Sequence, residues 1–260
     1  MKQTIHQTRL RQLSVFAVLF WLGGCATTGT DPRDPWEKWN RGVQSFNDSA
    51  DDYVLKPVAQ GYQWITPSFV DRGVTNFFSN IGDIRVTLND FLQFKVGQGS
   101  EDFTRFLINT TLGAGGLVDV GALLEFEQHD EDFDQTLGAW GTPTGPYLVL
   151  PLIGPSSPRG ALGLVGDAAV NPVAYINFPA VSLGLTGVKH TDQRADLLSA
   201  SKIVDEAALD RYEFLRNAYL QRREFLIHDG NPPIEDEEDI FGEDLDKDPE
   251  LEKAPGKESL

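Results

Sequence analysis

The chain has 260 residues, a formal net charge of −17, 23% charged residues and a single cysteine. That length suits one sizeable domain. The acidic balance, with no basic patch interleaved with aromatics, excludes a nucleic-acid binder, and a lone cysteine excludes an internal disulfide.

Met1 to Gln12 carries Lys2, Arg9 and Arg11 and no acid, and Leu13 to Leu22 (LSVFAVLFWL) is an apolar block of ten residues followed by Gly23-Gly24-Cys25. A basic start, a short apolar core and small residues at the cut are the parts of a secretory signal, and ten residues are too few for a spanning anchor. Residues 1–24 therefore read as a signal peptide and 25–33 as a tether. Residues 34–228 read as the folded domain. From Asp229 to Leu260 there are 13 acids against 3 lysines, with Pro232, Pro233, Pro249 and Pro255. That composition predicts a disordered, solvated tail.

Within the domain, Asp34-Pro35-Trp36-Glu37 predicts a helix start, with Asp as N-cap, Pro at the first helical position and Glu at the third. Trp36, Trp39, Val43 and Phe46 then fall on one face. Thr66-Pro67-Ser68 predicts a second start, with Phe69, Val70, Gly73, Val74, Phe77, Phe78 and Ile81 as its apolar stripe. Ile84, Leu88, Phe91 and Leu92 read as a third helix. Ser100-Glu101-Asp102 reads as the cap of a fourth, burying Phe103, Phe106 and Leu107 and ended by Gly113, Gly115 and Gly116. Thr191-Asp192 reads as the next cap. A long helix is expected from Val204 to Ile227, with Ala208, Tyr212, Leu215 and Tyr219 on one face and Gly230 and the proline pair as its stop. The fold class is all-α, and for most stripe positions a helical core is the expectation.

Two uncharged runs interrupt this pattern. Gln135 to Pro158 has four glycines and five prolines and no Asp, Glu, Lys or Arg, and Ala168 to Val188 is broken by Pro172, Pro179, Gly184 and Gly187. Both are too apolar for ordinary loops, and neither makes a clean spanning helix. Backbone at membrane depth, sheltered by protein or lining a cavity, is one reading, and buried core with irregular connections is the other. No series of alternating ten-residue segments predicts a β-barrel.

Motifs for catalysis or metal binding are weak. Asp130, Asp132 and Asp134 begin like a calcium loop, but Gln135 and Gly141 stand where Gly and Glu are needed, which leaves a solvated acidic turn. Ala180-Val181-Ser182-Leu183-Gly184, with His190 and Asp192 downstream, is a loose hydrolase elbow lacking its first glycine and its strand. The scattered histidines fit no zinc motif, and no phosphate-binding loop is present. No catalytic residue, metal or cofactor is expected.

Leu22-Gly23-Gly24-Cys25 resembles the bacterial lipobox, whose cysteine takes a diacylglyceryl group and an N-acyl chain and becomes the mature N-terminus. Ala26 in place of Asp then implies the outer membrane. Further matches recur in order: Asp34-Pro35-Trp36-Glu37 with Trp39-Asn40-Arg41 and Phe46-Asn47; Lys56-Pro57-Val58; Asn76 to Asn80; Asn89 to Gln93; Arg105 to Thr110; Gly115 to Val120; and Phe133 to Pro151. The ordered set resembles the MlaA/VacJ family of outer-membrane lipoproteins. One departure is Asp48-Ser49, where the family often has a second aromatic after Phe46-Asn47.

The resemblance implies a ring-like helical protein set in the inner leaflet of the outer membrane. Its amphipathic channel would take mislocalised phospholipids from the outer leaflet and pass them to a periplasmic carrier, MlaC, in association with trimeric porins. Thr136, Gly138, Gly141, Thr142, Thr144, Gly145 and Tyr147 are then candidates for the channel lining. A lipid-hydrolysing lipoprotein and a structural envelope tether are the alternatives. The lone cysteine generates a first prediction. Cys25→Ser should abolish incorporation of labelled palmitate and leave an exported but unprocessed or unanchored protein, as membrane fractionation would show, and normal labelling of the variant would end the lipoprotein assignment.

Overall fold

The computed structural model describes residues 31–232, so the signal peptide, Cys25 and the tail beyond Pro232 lie outside the described residues. Among the described residues 71% are helical, with one small sheet. Helix α1 (Glu37–Ala50) runs through a π-helical turn (Asp51–Leu55) into α2 (Lys56–Ile65). Helix α3 (Ser68–Leu92) folds back as α4 (Val96–Thr111), and the short α5 (Val120–Leu123) and α6 (Phe133–Ala139) follow. Strands β1 (Leu148–Leu150) and β2 (Gly154–Ser156) form an antiparallel hairpin with Val149 opposite Pro155. Helix α7 (Pro158–Val170), a 3-10 turn (Pro172–Tyr175), α8 (Pro179–Asp196), α9 (Leu198–Ala207) and α10 (Arg211–Ile227) complete the order. Among the described residues no helix is long and apolar enough to cross a membrane.

The helices pack polar side inward. Among the described residues nine hydrophobic side chains are buried against twenty polar or charged ones. Most of the expected apolar stripes face outward instead: Trp39, Phe46, Phe69, Phe91, Phe103 and Leu107 are exposed, and of the stripe residues Val43, Phe78 and Tyr212 are buried, with Asn40 and Gln44 beside Val43 on the buried face of α1. On α3 the inward stripe is Asn80, Asp83, Thr87 and Asp90, and on α4 it is Asp102, Arg105 and Asn109, each at helical spacing. The period was readable. The face was not.

The same inversion moves several caps. Asp34 does not cap α1. It is wholly buried and accepts from Asn40 Nδ2 at 2.8 Å, from the Tyr212 hydroxyl and from Arg216 at 3.3 Å. The third and second expected helices are one, because nothing between Ile81 and Ile84 breaks α3. Helix α4 starts at Val96, ahead of Ser100, and Asp102 is buried inside it. Gly99 permits that packing, since a Cβ there would lie 2.9 Å from Asp90 Cβ on α3. Asp192 lies within α8, accepting from Tyr62 at 2.9 Å and Thr75 at 3.1 Å. The expected long C-terminal helix breaks at Ala208–Asp210, where Asp210 caps α10 by accepting from the Tyr212 and Glu213 amides at 2.8 and 3.3 Å. The acidic turn is solvated only in part: Asp130 is exposed, whereas Glu131 and Asp134 are buried. At the edges, Arg33 O accepts from Tyr147 N at 2.7 Å and Asp229 pairs with Lys95, so the fold includes residues assigned to tether and tail.

Two asparagines fasten the hairpin to α1. Asn40 donates to Tyr147 O at 3.0 Å and accepts from Val149 N at 2.8 Å. Asn47 donates to Leu150 O at 3.0 Å and accepts from Leu152 N at 2.7 Å. Seven residues of helix advance about 10.5 Å and three residues of strand about 10 Å, so two amides on one helix face meet two successive docking points. Asn40→Leu would strip partners from Asp34, Tyr147 O and Val149 N, costing on the order of 3 kcal/mol. Thermal melts followed by circular dichroism in detergent should show a fall of roughly 10 °C, whereas Trp39→Gln should stay within about 0.5 kcal/mol of wild type.

Candidate functional site

A cavity of about 260 Å³ opens where α1, the π-helical turn, the hairpin and helices α8 to α10 meet. The lining is mixed, with Gln44, Asn47, Asp48, Asp51, Arg194 and Arg211 among its polar residues and Leu55, Leu152, Ile153, Leu197 and Leu215 among its apolar ones. Arg194 grips Asp51 with two bonds of 2.6 and 2.7 Å and donates to Ser201 Oγ at 3.3 Å. Arg211 pairs with Asp48 at 2.8 Å and Asp205 at 3.1 Å. The Arg194 guanidinium holds Asp51 below the usual carboxylate range, whereas burial pushes Asp48 up despite Arg211. The Asp48 carboxylate serves this pair.

Irregular backbone gathers around the same cavity. The π-helical turn contributes Asp51 and Leu55, and such turns are often found at functional positions. Leu152 sits at φ 63°, a left-handed conformation that costs a β-carbon-bearing residue of order 1 kcal/mol. Its amide is held by Asn47, so the asparagine bond maintains the strained tip.

None of the seven residues nominated for a channel lines this cavity; the hairpin that follows them does. Thr136 and Tyr147 have no exposed surface. Thr136 donates to Asn89 Oδ1 at 2.8 Å, and Tyr147 stacks edge-on against Tyr212 with centroids 5.9 Å apart. A Cβ on Gly138 would press on Ile227 at 3.0 Å, a packing role. Gly141 and Gly145 have φ of 85° and 75° and make turns, while Thr142 offers its carbonyl to Arg159 at 2.8 Å. Thr142 and Thr144 keep partial surface, and Gly141 and Gly145 are exposed. One signal for the cavity was in the sequence: Asn40 and Asn47, seven residues apart.

The other nominated chemistry does not assemble. Ser182 lies inside α8 and donates to Val173 O at 3.0 Å, so no strand-to-helix elbow forms. Asp192 is ten residues further along that helix, about 15 Å by helical rise, with both oxygens engaged by Tyr62 and Thr75. Of the acidic run, Asp132 caps α6 and binds Arg223 at 2.7 Å, and Asp134 binds Arg159 at 2.6 Å.

A second polar cluster lies between α3 and α4. Asp83 and Asp90 are buried with no hydrogen-bond donor on either oxygen, and Asp102 accepts from His129 at 2.9 Å in one tautomer. Arg105 is committed to Asp119 at 2.9 Å and Phe126 O at 2.7 Å. Burial pushes the Asp83 carboxyl up to about 7 against the pull of Arg105, and burial together with the neighbouring Asp102 raises Asp90 further. Both are acids that hold a proton in the folded state above the pH at which the unfolded chain releases it. The folded state then binds more protons, so stability is greatest below pH 4 from these groups and declines as pH rises to about 7 or 8. Melts at pH 5 and pH 8 should show the higher midpoint at pH 5, and Asp90→Asn should reduce the difference.

A family model, that of the MlaA lipoprotein, matches residues 32–226. The intermembrane phospholipid transport system lipoprotein MlaA of Shigella flexneri is 35% identical over 231 residues, covering 85% of this chain and 90% of that protein. Its Escherichia coli K12 counterpart matches with the same identity and coverage, and that of Haemophilus influenzae is 30% identical over 226 residues. A solved structure concerned with maintenance of bacterial outer membrane lipid asymmetry superposes with a TM-score of 0.67 at 33% identity, over 75% of this chain and 98% of its own.

Proposed function

Because the chain belongs to the MlaA lipoprotein family, we propose that it is an outer-membrane lipoprotein of intermembrane phospholipid transport. It removes mislocalised phospholipids from the outer leaflet and passes them to a periplasmic carrier, maintaining lipid asymmetry. The observation that carries this reading is the inverted burial: polar networks inside, large apolar side chains outside, and no helix able to span among the described residues. A surface of that kind is stable where acyl chains replace water, and helices too polar within to cross a bilayer can lie in one leaflet. Lipidation of Cys25 fits a domain seated in the inner leaflet of the outer membrane. Trimeric porins and a carrier of the MlaC type are the protein partners the family resemblance implies.

A phospholipid passing through such a domain needs polar contacts for its head group and apolar contacts for its chains. Gly141, Thr142, Thr144 and Gly145, which retain surface, are the nominated residues we assign to a lipid path beside the amphipathic cavity. Hydrolysis of lipid is disfavoured by the occupied hydroxyl of Ser182 and carboxylate of Asp192.

Deleting the protein should raise outer-leaflet phospholipid, measured by acylation of lipid A or by a surface-restricted amine label, and re-expression should reverse it. Unchanged outer-leaflet phospholipid would favour the envelope tether. Single cysteines at Thr142 and Thr144, with Cys25 lipidated, should react with a water-soluble thiol reagent and carry photocrosslinks to phospholipid. Absence of crosslinks would remove these residues from the path.

A further inference from the structure

The cavity between α1, the hairpin and helices α8 to α10 carries a specificity that transport as such does not require. We propose that it is a head-group site selective for zwitterionic, phosphoethanolamine-type lipids over net-anionic ones. The inference rests on the reading of the chain as a phospholipid-transport protein and names the lipid class that this cavity takes.

Charge balance is the first argument. The cavity lining holds two guanidiniums, Arg194 and Arg211, and two carboxylates, Asp48 and Asp51, and Asp205 adds a third carboxylate beside Arg211, so the cluster has no surplus cation. A site for an anionic lipid would carry surplus cations. A cluster with both signs and no positive excess offers a phosphate one partner and an ammonium the other. Arg211 suits the phosphate: it is half-buried, and its Nε lies near Asp205 without a well-formed hydrogen bond. Asp48 suits the ammonium. It is desolvated by burial and holds only one oxygen against Arg211, so a second cation would stabilise its charged form. Arg194 and Asp51, with two mutual bonds, form the fixed part of the cluster.

Size and shape agree. About 260 Å³ is just short of the roughly 300–1,000 Å³ that accommodate drug-sized ligands, enough for a head group with its glycerol but not for a whole two-chain lipid. The chains would leave over Leu152 and Ile153, which line the cavity and are exposed at the hairpin tip. The strained φ of Leu152 turns that apolar tip beside the charged cluster.

The test uses the full-length lipidated protein in detergent micelles with equimolar phosphatidylethanolamine and phosphatidylglycerol of identical acyl chains, read by native mass spectrometry. Wild type should retain the ethanolamine lipid at least about fivefold over the glycerol lipid, a difference of about 1 kcal/mol. Asp48→Asn, which leaves Arg211 its Asp205 partner, should shift retention toward phosphatidylglycerol. Loss of folding would lower both lipids together, so the ratio is independent of it. A benzophenone attached at Leu152→Cys should crosslink the ethanolamine lipid and mark the location. Equal retention of both lipids by wild type, an unchanged ratio in Asp48→Asn, or no crosslink at Leu152 overturns the head-group site while leaving lipid transport intact. Failure of wild type to retain either lipid counts against both.

Discussion

One carboxamide, Asn40, joins Asp34 at the start of the described residues, the helix α1 and the hairpin within the long uncharged run. Through Asp34 it also reaches Tyr212 and Arg216 on the last helix. The bonds span sequence separations of up to 182 residues, so the domain is closed by directional contacts instead of by apolar burial. That pattern is the one a hydrocarbon setting favours. In hydrocarbon, apolar side chains gain nothing by leaving the surface, whereas an unpaired polar group is costly. What draws the helices together is the need of each buried Asn, Asp and Arg for a partner. The apolar cluster that does exist, Val43, Tyr147, Val149 and Tyr212, is small and lies on top of this node.

Helical periodicity in the sequence located helices without identifying their inner face. On α3 the residues Phe69, Gly73, Phe77 and Ile81 repeat as well as Asn80, Asp83, Thr87 and Asp90 do, because both sets obey the same 3.6-residue period. Choosing the apolar set as core assumes water outside. Exposed Trp39 and Phe103, against buried Asn40 and Asp102, show that the apolar set is not the inner face here. Caps were misplaced for the same reason: Asp34, Asp102 and Asp192 are helix-starting residue types employed instead as buried acceptors. Asp210-Arg211-Tyr212-Glu213, a true cap, was concealed within an apparently continuous pattern. The family resemblance was legible because it depends on an ordered set of short pieces, many of which hold the polar residues that the interior uses.

The candidate site was half visible. The run from Gln135 to Pro158 does contribute to the cavity, but through Val149 and Leu152 to Pro155 and not through its threonines. Nothing local distinguishes Thr136, sealed against Asn89, from Thr142, which keeps surface. That difference is set by α3, forty-seven residues away from Thr136. The guanidiniums of the lining, Arg194 and Arg211, come from helices whose link to Asp48 and Asp51 has no signature in sequence.

An exterior of this kind also constrains the route by which the chain reaches its membrane. Trp64, Phe69, Phe94, Phe178 and Leu183 each keep more than two-thirds of their surface exposed, which favours self-association in water. A chain exported across an aqueous compartment with that exterior would self-associate before it met a bilayer. Its passage therefore calls for an escort that shields these rings, or for final assembly of the polar interior only once acyl chains are at hand.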